Sequence, residues 1–315
     1  MKITINDIRP ELRKNAKRQM DTVHKDPKKH LTRLGKITKA MKLMPLKNLN
    51  CEKRTIAAPN SENMRICIFK GYARGGKTVG VLWLHGGGYV LGAPEMAGMT
   101  FVRELILHYN VVVVAPDYTL SYEKPYPAAL EDAYAALRWM DENRESLGIT
   151  ADHYIAGGES AGGGLTAALC IYARDNGFDK IGLQLPLYPM LDDRETDSCR
   201  DNNAPVWTSQ ENKAAWELYL GDLYGKEDIP ASAVPARETD FKGLPPALSF
   251  VGDIEAFHDE TVTFFNSLKE AGIDARLLIC EGCFHSFDTS CPKAEITKEA
   301  YEFMLSGIDE YMLKL

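Results

Sequence analysis

Short runs of apolar, often β-branched residues recur along the chain from about residue 64, and longer segments with helical spacing of apolar positions separate them. This alternation predicts a mostly parallel β-sheet with helices on both faces. Most of the runs are apolar at every position, as expected for strands covered on both sides. The predicted strands cover residues 64–70, 78–84, 111–115, 153–156, 183–188, 247–251 and 275–280. The predicted helices of this α/β domain cover residues 97–109, 128–147, 161–175, 261–271 and 293–311.

Two segments interrupt this alternation. Residues 1–50 have the pattern of polar helix, and residues 192–240 combine charged residues, proline and tryptophan with one helical run. Insertions of this kind usually cover the carboxyl ends of the strands, where open α/β sheets bind their ligands. We therefore predict a helical cap, formed by both segments, over a catalytic domain that comprises residues 51–191 and 241–315.

The composition is that of a globular chain. Of its 315 residues, 45% are hydrophobic and 26% are charged, and no apolar run approaches the length of roughly 20 residues that a membrane-spanning helix needs. The seven cysteines are odd in number and lack the spacing of a disulfide framework, which favours reduced thiols and a cytoplasmic location. Cys280 and Cys283 form a C-x-x-C motif, but without a second ligand pair we predict no metal site there.

Positive charge is concentrated at the start of the chain. Residues 1–50 hold 14 Lys and Arg against 4 Asp and Glu, within a protein of net charge −7. The same segment has no aromatic residue on which a nucleic-acid base could stack. We therefore interpret it as the solvated face of one or two helices, with nucleic-acid binding as the weaker alternative.

The segment Gly-Glu-Ser-Ala-Gly at residues 158–162 lies between a predicted strand and a predicted helix. In that setting the pattern is typical of a nucleophile elbow, a turn so sharp that its serine takes a strained backbone conformation and its flanking residues must be small. Ser160 is therefore the predicted nucleophile. We expect Glu159 beside it to hold neighbouring backbone and not to take part in the chemistry.

The segment His-Gly-Gly-Gly at residues 85–88 follows another predicted strand. Its glycines allow the backbone to pass close to a substrate and to aim N–H groups inward, where with the N–H of Ala161 they would form an oxyanion hole. A phosphate- or dinucleotide-binding loop is the alternative, but the chain lacks a Gly-x-x-x-x-Gly-Lys-Ser/Thr motif. We expect His85 to fix this loop by hydrogen bonding.

A nucleophilic serine needs an imidazole to accept its proton and a carboxylate to orient that imidazole. His285 follows the last predicted strand, where this kind of domain presents its base, and it is the predicted catalytic histidine. The acid should follow the preceding strand, and there the pattern leaves both Asp253 and Glu255 open. The other six histidines have positions that favour structural or solvated roles; they are His24, His30, His85, His108, His153 and His258.

Taken together, these motifs resemble the hormone-sensitive-lipase-like family of α/β-hydrolases, which includes microbial carboxylesterases and acetyl esterases. The resemblance extends over about residues 64–313 and leaves residues 1–50 as the diverged part. It is carried by residues 85–88, 117–118, 125–132, 158–163, 188–194 and 282–287.

This resemblance implies an α/β-hydrolase fold that hydrolyses short-chain acyl esters without a metal or organic cofactor. The family's acid lies in a segment like Gly-Asp-x-Asp-Pro, which places Glu255 on the acid and Ala256 on the proline, and so favours Glu255 over Asp253. The family's oxyanion donors correspond to Gly86, Gly87 and Ala161. By analogy, the protein is expected to act on small-molecule esters and to form a homodimer.

Three questions stay open at this level. A ligand-binding receptor of the same fold is the main competing class, but such proteins usually lose a member of the triad. Amide hydrolysis uses the same machinery and is a second alternative. Several aromatic residues near the predicted cap either wall the substrate pocket or form the core of the cap; they are Tyr89, Trp207, Trp216, Tyr219 and Phe257.

Overall fold

The computed structural model describes residues 1–20, 25–39, 49–73, 75–312 and 314. Within them, eight strands form one sheet in the order β1-β2-β4-β3-β5-β6-β7-β8. The strands are β1 (Cys51–Ala58), β2 (Ser61–Lys70), β3 (Val79–Leu84), β4 (Val111–Pro116), β5 (Tyr154–Glu159), β6 (Ile181–Leu187), β7 (Ala247–Gly252) and β8 (Ala275–Cys280). All neighbours from β4 to β8 pair in parallel, whereas β1 pairs antiparallel with β2 and β2 antiparallel with β4.

The antiparallel edge was not expected from the sequence pattern. Strand β1 and the first residues of β2 have mostly polar, partly exposed side chains, because β1 is an edge strand with few residues facing the core. The predicted helix over residues 97–109 is also shorter in the structure. Residues Pro94–Met99 form a 3₁₀ helix, and the α-helix begins only at Val102.

Helices cover both faces of the sheet. They are α1 (Arg13–Ala16), α2 (Pro27–Lys39), α3 (Val102–His108), α4 (Ala128–Glu142), α5 (Arg144–Leu147), α6 (Ala161–Asp175), α7 (Ser209–Leu220), α8 (His258–Glu270), α9 (Phe287–Ser290) and α10 (Glu295–Met312). Within the ranges given above, none of them has both the length and the apolar composition needed to cross a bilayer.

Alternation along the buried strands divides the core into two layers. In β3, Leu82 and Leu84 join the layer that contains α4, α6 and α8, whereas Val81 and Trp83 join the layer that contains α3 and α10. Because successive side chains of a strand point to opposite faces, an apolar run buries both sets at once. The sheet therefore has a hydrophobic core on each side, as the sequence pattern predicts.

The described part of the predicted N-terminal cap segment packs in two different places. Helix α2 lies against α7, in the other predicted cap segment. In contrast, Ile8, Leu12 and Ala16 are buried in the layer of α10, a helix outside both predicted cap segments. Leu12 and Ala16 are one helical turn apart and, with Ile8 just before the first turn, form an apolar stripe among charged neighbours. His24, which the sequence assigned to the basic segment, lies outside the described residues.

Candidate active site

Ser160 lies at the sharp turn between β5 and α6. Its backbone has φ 58° and ψ −122°, a strained conformation for a residue with a side chain. A Cβ atom at Gly158 would lie 2.4 Å from the carbonyl oxygen of Leu84 in β3, and one at Gly162 would lie 2.0 Å from the same oxygen. Only glycine allows β3 and the turn to approach so closely, and this contact holds the Ser160 hydroxyl at the carboxyl end of the sheet.

Ser160, His285 and Glu255 form one chain of hydrogen bonds. Nε2 of His285 lies 2.8 Å from Oγ of Ser160, and Nδ1 of His285 lies 2.8 Å from Oε1 of Glu255. Glu255 is fully buried, and the other two are less than a tenth exposed. When Nδ1 carries the proton of the neutral ring, its N–H donates a hydrogen bond to the Glu255 carboxylate. The lone pair of Nε2 then faces the serine hydroxyl.

The two carboxylates that the sequence left open have different partners. Glu255 contacts His285, and its second oxygen accepts a hydrogen bond from the N–H of Gly252 at 3.2 Å. Asp253 instead accepts a hydrogen bond from the N–H of Gly282 at 2.7 Å. Only Glu255 is therefore placed to orient the imidazole.

The glycine loop packs against the elbow. The His85 ring stacks on Tyr118 with 4.2 Å between the ring centroids, and the Tyr118 hydroxyl donates a hydrogen bond to the carbonyl of His85 at 2.7 Å. Nδ1 of the same imidazole lies 2.8 Å from the carbonyl oxygen of Gly86, within the glycine loop. A Cβ at Gly86 would lie 2.9 Å from the carbonyl oxygen of Glu159, so this glycine allows the loop to touch the elbow.

The N–H groups of the glycine loop differ in their surroundings. The N–H of Gly86 faces Oε1 of Glu159 at an N···O distance of 3.4 Å. Within the described part of the chain, the N–H groups of Gly87 and Gly88 have no hydrogen-bond acceptor. The resemblance to the family pointed to Gly86 and Gly87, and Gly88 is the third member of the same glycine run. Its φ of 60° and the position of Trp207, 2.3 Å from a Cβ built on it, both require glycine.

Two further buried acids flank the site. Burial raises the pKa of Glu159 to about 8, although its carboxylate accepts a hydrogen bond from Nε1 of Trp83 at 2.7 Å. Burial likewise raises the pKa of Asp288 to about 6, against the opposing effect of a hydrogen bond from the Tyr301 hydroxyl at 3.0 Å. Neither acid contacts Ser160 or His285 by a hydrogen bond, and Glu159 holds surrounding groups as the sequence led us to expect.

A cavity of about 450 Å³ opens in front of Ser160 and His285. Most of its wall is apolar, and it comes from helix α2, the segment after the glycine loop and the segment before α7. Of the apolar side chains in this wall, the sequence singled out only Trp207, because cavity walls leave no motif. These side chains are Leu31, Leu34, Leu91, Met96, Met99, Val206 and Trp207.

The aromatic residues near the cap divide between the two roles that the sequence left open. Trp207 lines the cavity, and the edge of the Phe257 ring approaches His285 with 4.9 Å between centroids. Tyr89 and Tyr219 stack with 3.8 Å between ring centroids and, with Trp216, form a buried cluster between α7 and the segment after the glycine loop. These three residues are core, and only the first two are part of the site.

Cys280 and Cys283 are buried free thiols, and burial raises the pKa of both. Across the described ranges, no three His, Cys, Asp or Glu side chains are grouped so that they could hold a metal ion.

Comparison with known proteins extends these observations. A family model described as alpha/beta hydrolase fold matches residues 81–289. The ethyl acetate hydrolase of Pseudomonas putida is 30% identical over 74% of this chain and 73% of its own length. Esterase LipI of Mycobacterium tuberculosis is 32% identical over 66% of this chain, and the matched region spans 65% of LipI. Among solved structures, a bacterial heroin esterase superimposes with a TM-score of 0.86 at 27% identity, over 97% of this chain and 99% of its own.

Proposed function

This chain belongs to the hormone-sensitive-lipase-like family of alpha/beta hydrolases and is a carboxylic ester hydrolase, and from that premise we propose that it is a serine esterase specific for short acyl chains. The observation that carries the proposal is the continuous hydrogen-bonded chain from Ser160 through His285 to Glu255, buried at the edge of an apolar cavity. A serine hydroxyl is a weak nucleophile until a base accepts its proton, and this chain of contacts supplies that base.

In the proposed mechanism, Ser160 attacks the ester carbonyl while His285 takes the hydroxyl proton on Nε2. Glu255 stabilises the imidazolium that forms and keeps the ring in the required tautomer. The alcohol then leaves with the proton from His285, and an acyl group is left on Ser160. Water then attacks the acyl-enzyme while His285 takes a proton from it. That proton returns to the Ser160 oxygen as the carboxylic acid is released.

The negative oxygen of the tetrahedral intermediate needs preorganised donors. We propose the N–H of Ala161, at the positive end of the 15-residue helix α6, and the N–H groups of Gly87 and Gly88. Gly86 was also expected to donate, but the Glu159 carboxyl faces its N–H. Removing one such donor typically costs about 10² to 10³ in rate.

The size and chemistry of the cavity support the preference for short acyl chains. Its volume of about 450 Å³ is at the small end of the range for ligand sites, and large side chains, Trp207 among them, limit its depth. The relative from Pseudomonas putida is named for hydrolysis of ethyl acetate, an ester of a small acid.

The test is release of p-nitrophenol from acetate, butyrate, octanoate and palmitate esters by the native protein and by Ser160→Ala. We expect turnover that depends on Ser160 and declines as the acyl chain lengthens. Turnover that persists in Ser160→Ala, or no turnover of any ester by a folded native protein, would contradict the proposal. The second result would direct attention to amide substrates or to ligand binding.

A further inference from the structure

The loop that carries His285 is fixed at one glycine from two sides. Gly282 follows β8 with a φ of 68°. Its N–H donates to Oδ1 of Asp253 at 2.7 Å, and its carbonyl accepts a hydrogen bond from the N–H of Arg9 at 2.8 Å. A Cβ at Gly282 would lie 2.8 Å from the Arg9 nitrogen, so the approach of the N-terminal segment itself requires glycine here.

The N-terminal segment also holds the far end of the same stretch. Nδ2 of Asn15 donates to the carbonyl of Ser290 at 2.6 Å, and the Glu11 carboxylate accepts a hydrogen bond from the N–H of Glu295 at 2.8 Å, at the start of α10. The buried side chains of this segment anchor it on the layer of α10. Residues 9–15 therefore bracket the stretch 282–290, and His285 lies between the two attachment points.

Asp253 links the stretch 282–290 to Glu255, the proposed triad acid. It is two residues before Glu255, on the turn that follows β7, and its own N–H donates to the carbonyl of Cys280 at 3.2 Å. The ends of β7 and β8 are thus joined by hydrogen bonds in both directions through one residue. The separation between Glu255 and His285 depends on this junction, because each side chain extends from one of the two joined loops.

We propose that Asp253 is a positioning residue for His285. Asp253 and residues 9–15 together form a clamp that holds the His285 loop, residues 282–290. The inference rests on the proposed function of Ser160, His285 and Glu255. Proton transfer requires the imidazole to stay within hydrogen-bond distance of two partners at once, and a displacement of about 1 Å can reduce the rate by about 10². Asp253 holds the backbone that sets this distance without touching the reacting atoms.

The test compares Asp253→Ala with Asp253→Asn. Asparagine keeps an oxygen in the position that accepts the Gly282 N–H but carries no charge, whereas alanine removes the acceptor. We expect kcat on p-nitrophenyl acetate to fall about 10- to 100-fold in Asp253→Ala with KM nearly unchanged, and to return to within about 3-fold of the native value in Asp253→Asn. A merely structural role would lower the unfolding temperature of the alanine variant and leave the kcat of its folded fraction unchanged.

Two controls separate the clamp from general effects. Thr150 accepts a hydrogen bond from the N–H of Thr78 at the opposite end of the sheet, so Thr150→Val removes a similar contact without a change in kcat. Arg9→Pro removes the backbone donor to Gly282 at a residue whose φ of −48° is close to that of proline, and Arg9→Ala keeps the donor. We expect kcat to fall about 3- to 10-fold in the proline variant only.

The outcomes distinguish this inference from the proposed function. Absence of Ser160-dependent hydrolysis in the native protein contradicts the proposed function. With hydrolysis present, a native kcat in Asp253→Ala overturns the clamp and leaves the function intact. A deep loss in both Asp253 variants, together with a nearly active Glu255→Gln, would make Asp253 the catalytic acid and overturn both assignments.

Discussion

The two sides of the proposed active site are built in different ways. The elbow around Ser160 is built from one short segment, which comprises a strand, a turn with two glycines and the start of a helix, and which presses against Leu84 of β3. The loop of His285 is held by residues from distant parts of the chain, Asp253 and the N-terminal segment. The contrast teaches that the pattern for the nucleophile's turn lies within one short segment, whereas the position of the base is set by hydrogen bonds between distant segments.

The largest effect should come from the acid that orients His285. Glu255→Gln keeps the shape of the side chain but removes the charge that stabilises the imidazolium, and the amide can fix the wrong tautomer. We expect kcat to fall about 10⁴-fold with KM little changed, measured on p-nitrophenyl acetate. Glu260→Gln is the matched control, because this buried carboxyl accepts a hydrogen bond from the N–H of Leu191 and does not contact the imidazole. A residue outside the triad would lose less than about 10-fold in kcat when it is changed in this way. A loss that small in Glu255→Gln would therefore contradict the assignment.

The elbow should respond to a single methyl group. In Gly162→Ala the added Cβ meets the Leu84 carbonyl, which belongs to a central strand and cannot move away. We expect kcat to fall at least about 10²-fold, because the Ser160 hydroxyl is displaced. Gly307→Ala is the control, since its Cβ meets the side chain of Leu248, which can change rotamer. An elbow variant with native kcat would show that its steric constraint is weaker than the structure indicates.

Trp207 contacts both sides of the site, since it packs on Gly88 and lies 6.5 Å from the His285 ring. Trp207→Ala should deepen the cavity. We expect the ratio of kcat/KM for octanoate over butyrate esters to rise about 10-fold, because a longer acyl chain gains apolar contact. Trp216→Phe, in the buried aromatic cluster of α7, should leave the ratio unchanged. An unchanged ratio in Trp207→Ala would place the acyl chain elsewhere.

The smallest effect concerns stability. Glu159 belongs to the elbow and has a pKa raised to about 8, from an ordinary value of 4.5. Between these values the folded protein holds a proton that the unfolded chain releases, so stability is lost as the pH rises from about 4.5 to about 8. Glu159→Gln has no group at this position that titrates in this pH range. We therefore expect its free energy of unfolding to vary less with pH over this window, by a difference on the order of a few kcal/mol.

Asp288 offers the same test on the loop of His285. Its pKa is raised to about 6 from 3.8, so Asp288→Asn should flatten the stability profile only between about pH 4 and pH 6. Thermal unfolding of both variants across pH 4–9 would measure the two windows. Identical profiles for the native protein and for Glu159→Gln would mean that Glu159 is ionised in the folded state.

Local features of the site could be predicted from the sequence. The elbow was recognisable because Gly158 and Gly162 lie within one short segment, although the carbonyl that they press against belongs to β3. Apolar strands indicated a sheet buried on both faces. Strand β1 escaped notice because its polar, partly exposed residues do not follow a core pattern.

Features that depend on contacts between distant segments could not be predicted. Alternation could not distinguish Asp253 from Glu255, because both carboxylates lie on one turn and their partners are about 30 residues further along the chain. The apolar stripe that ends at Ala16 was present in the sequence, but nothing in it indicated which layer it would cover. The walls of the cavity likewise come from segments without any motif.

The central claim is that Ser160 is a nucleophile activated by His285 and Glu255. The most direct measurement is mass spectrometry of the native protein, Ser160→Ala and Glu255→Gln after reaction with a fluorophosphonate. The account predicts one phosphonyl group on the peptide that contains Ser160, slow labelling in Glu255→Gln and none in Ser160→Ala. Labelling at another residue, or a native protein that hydrolyses esters while Ser160 stays unmodified, would contradict it.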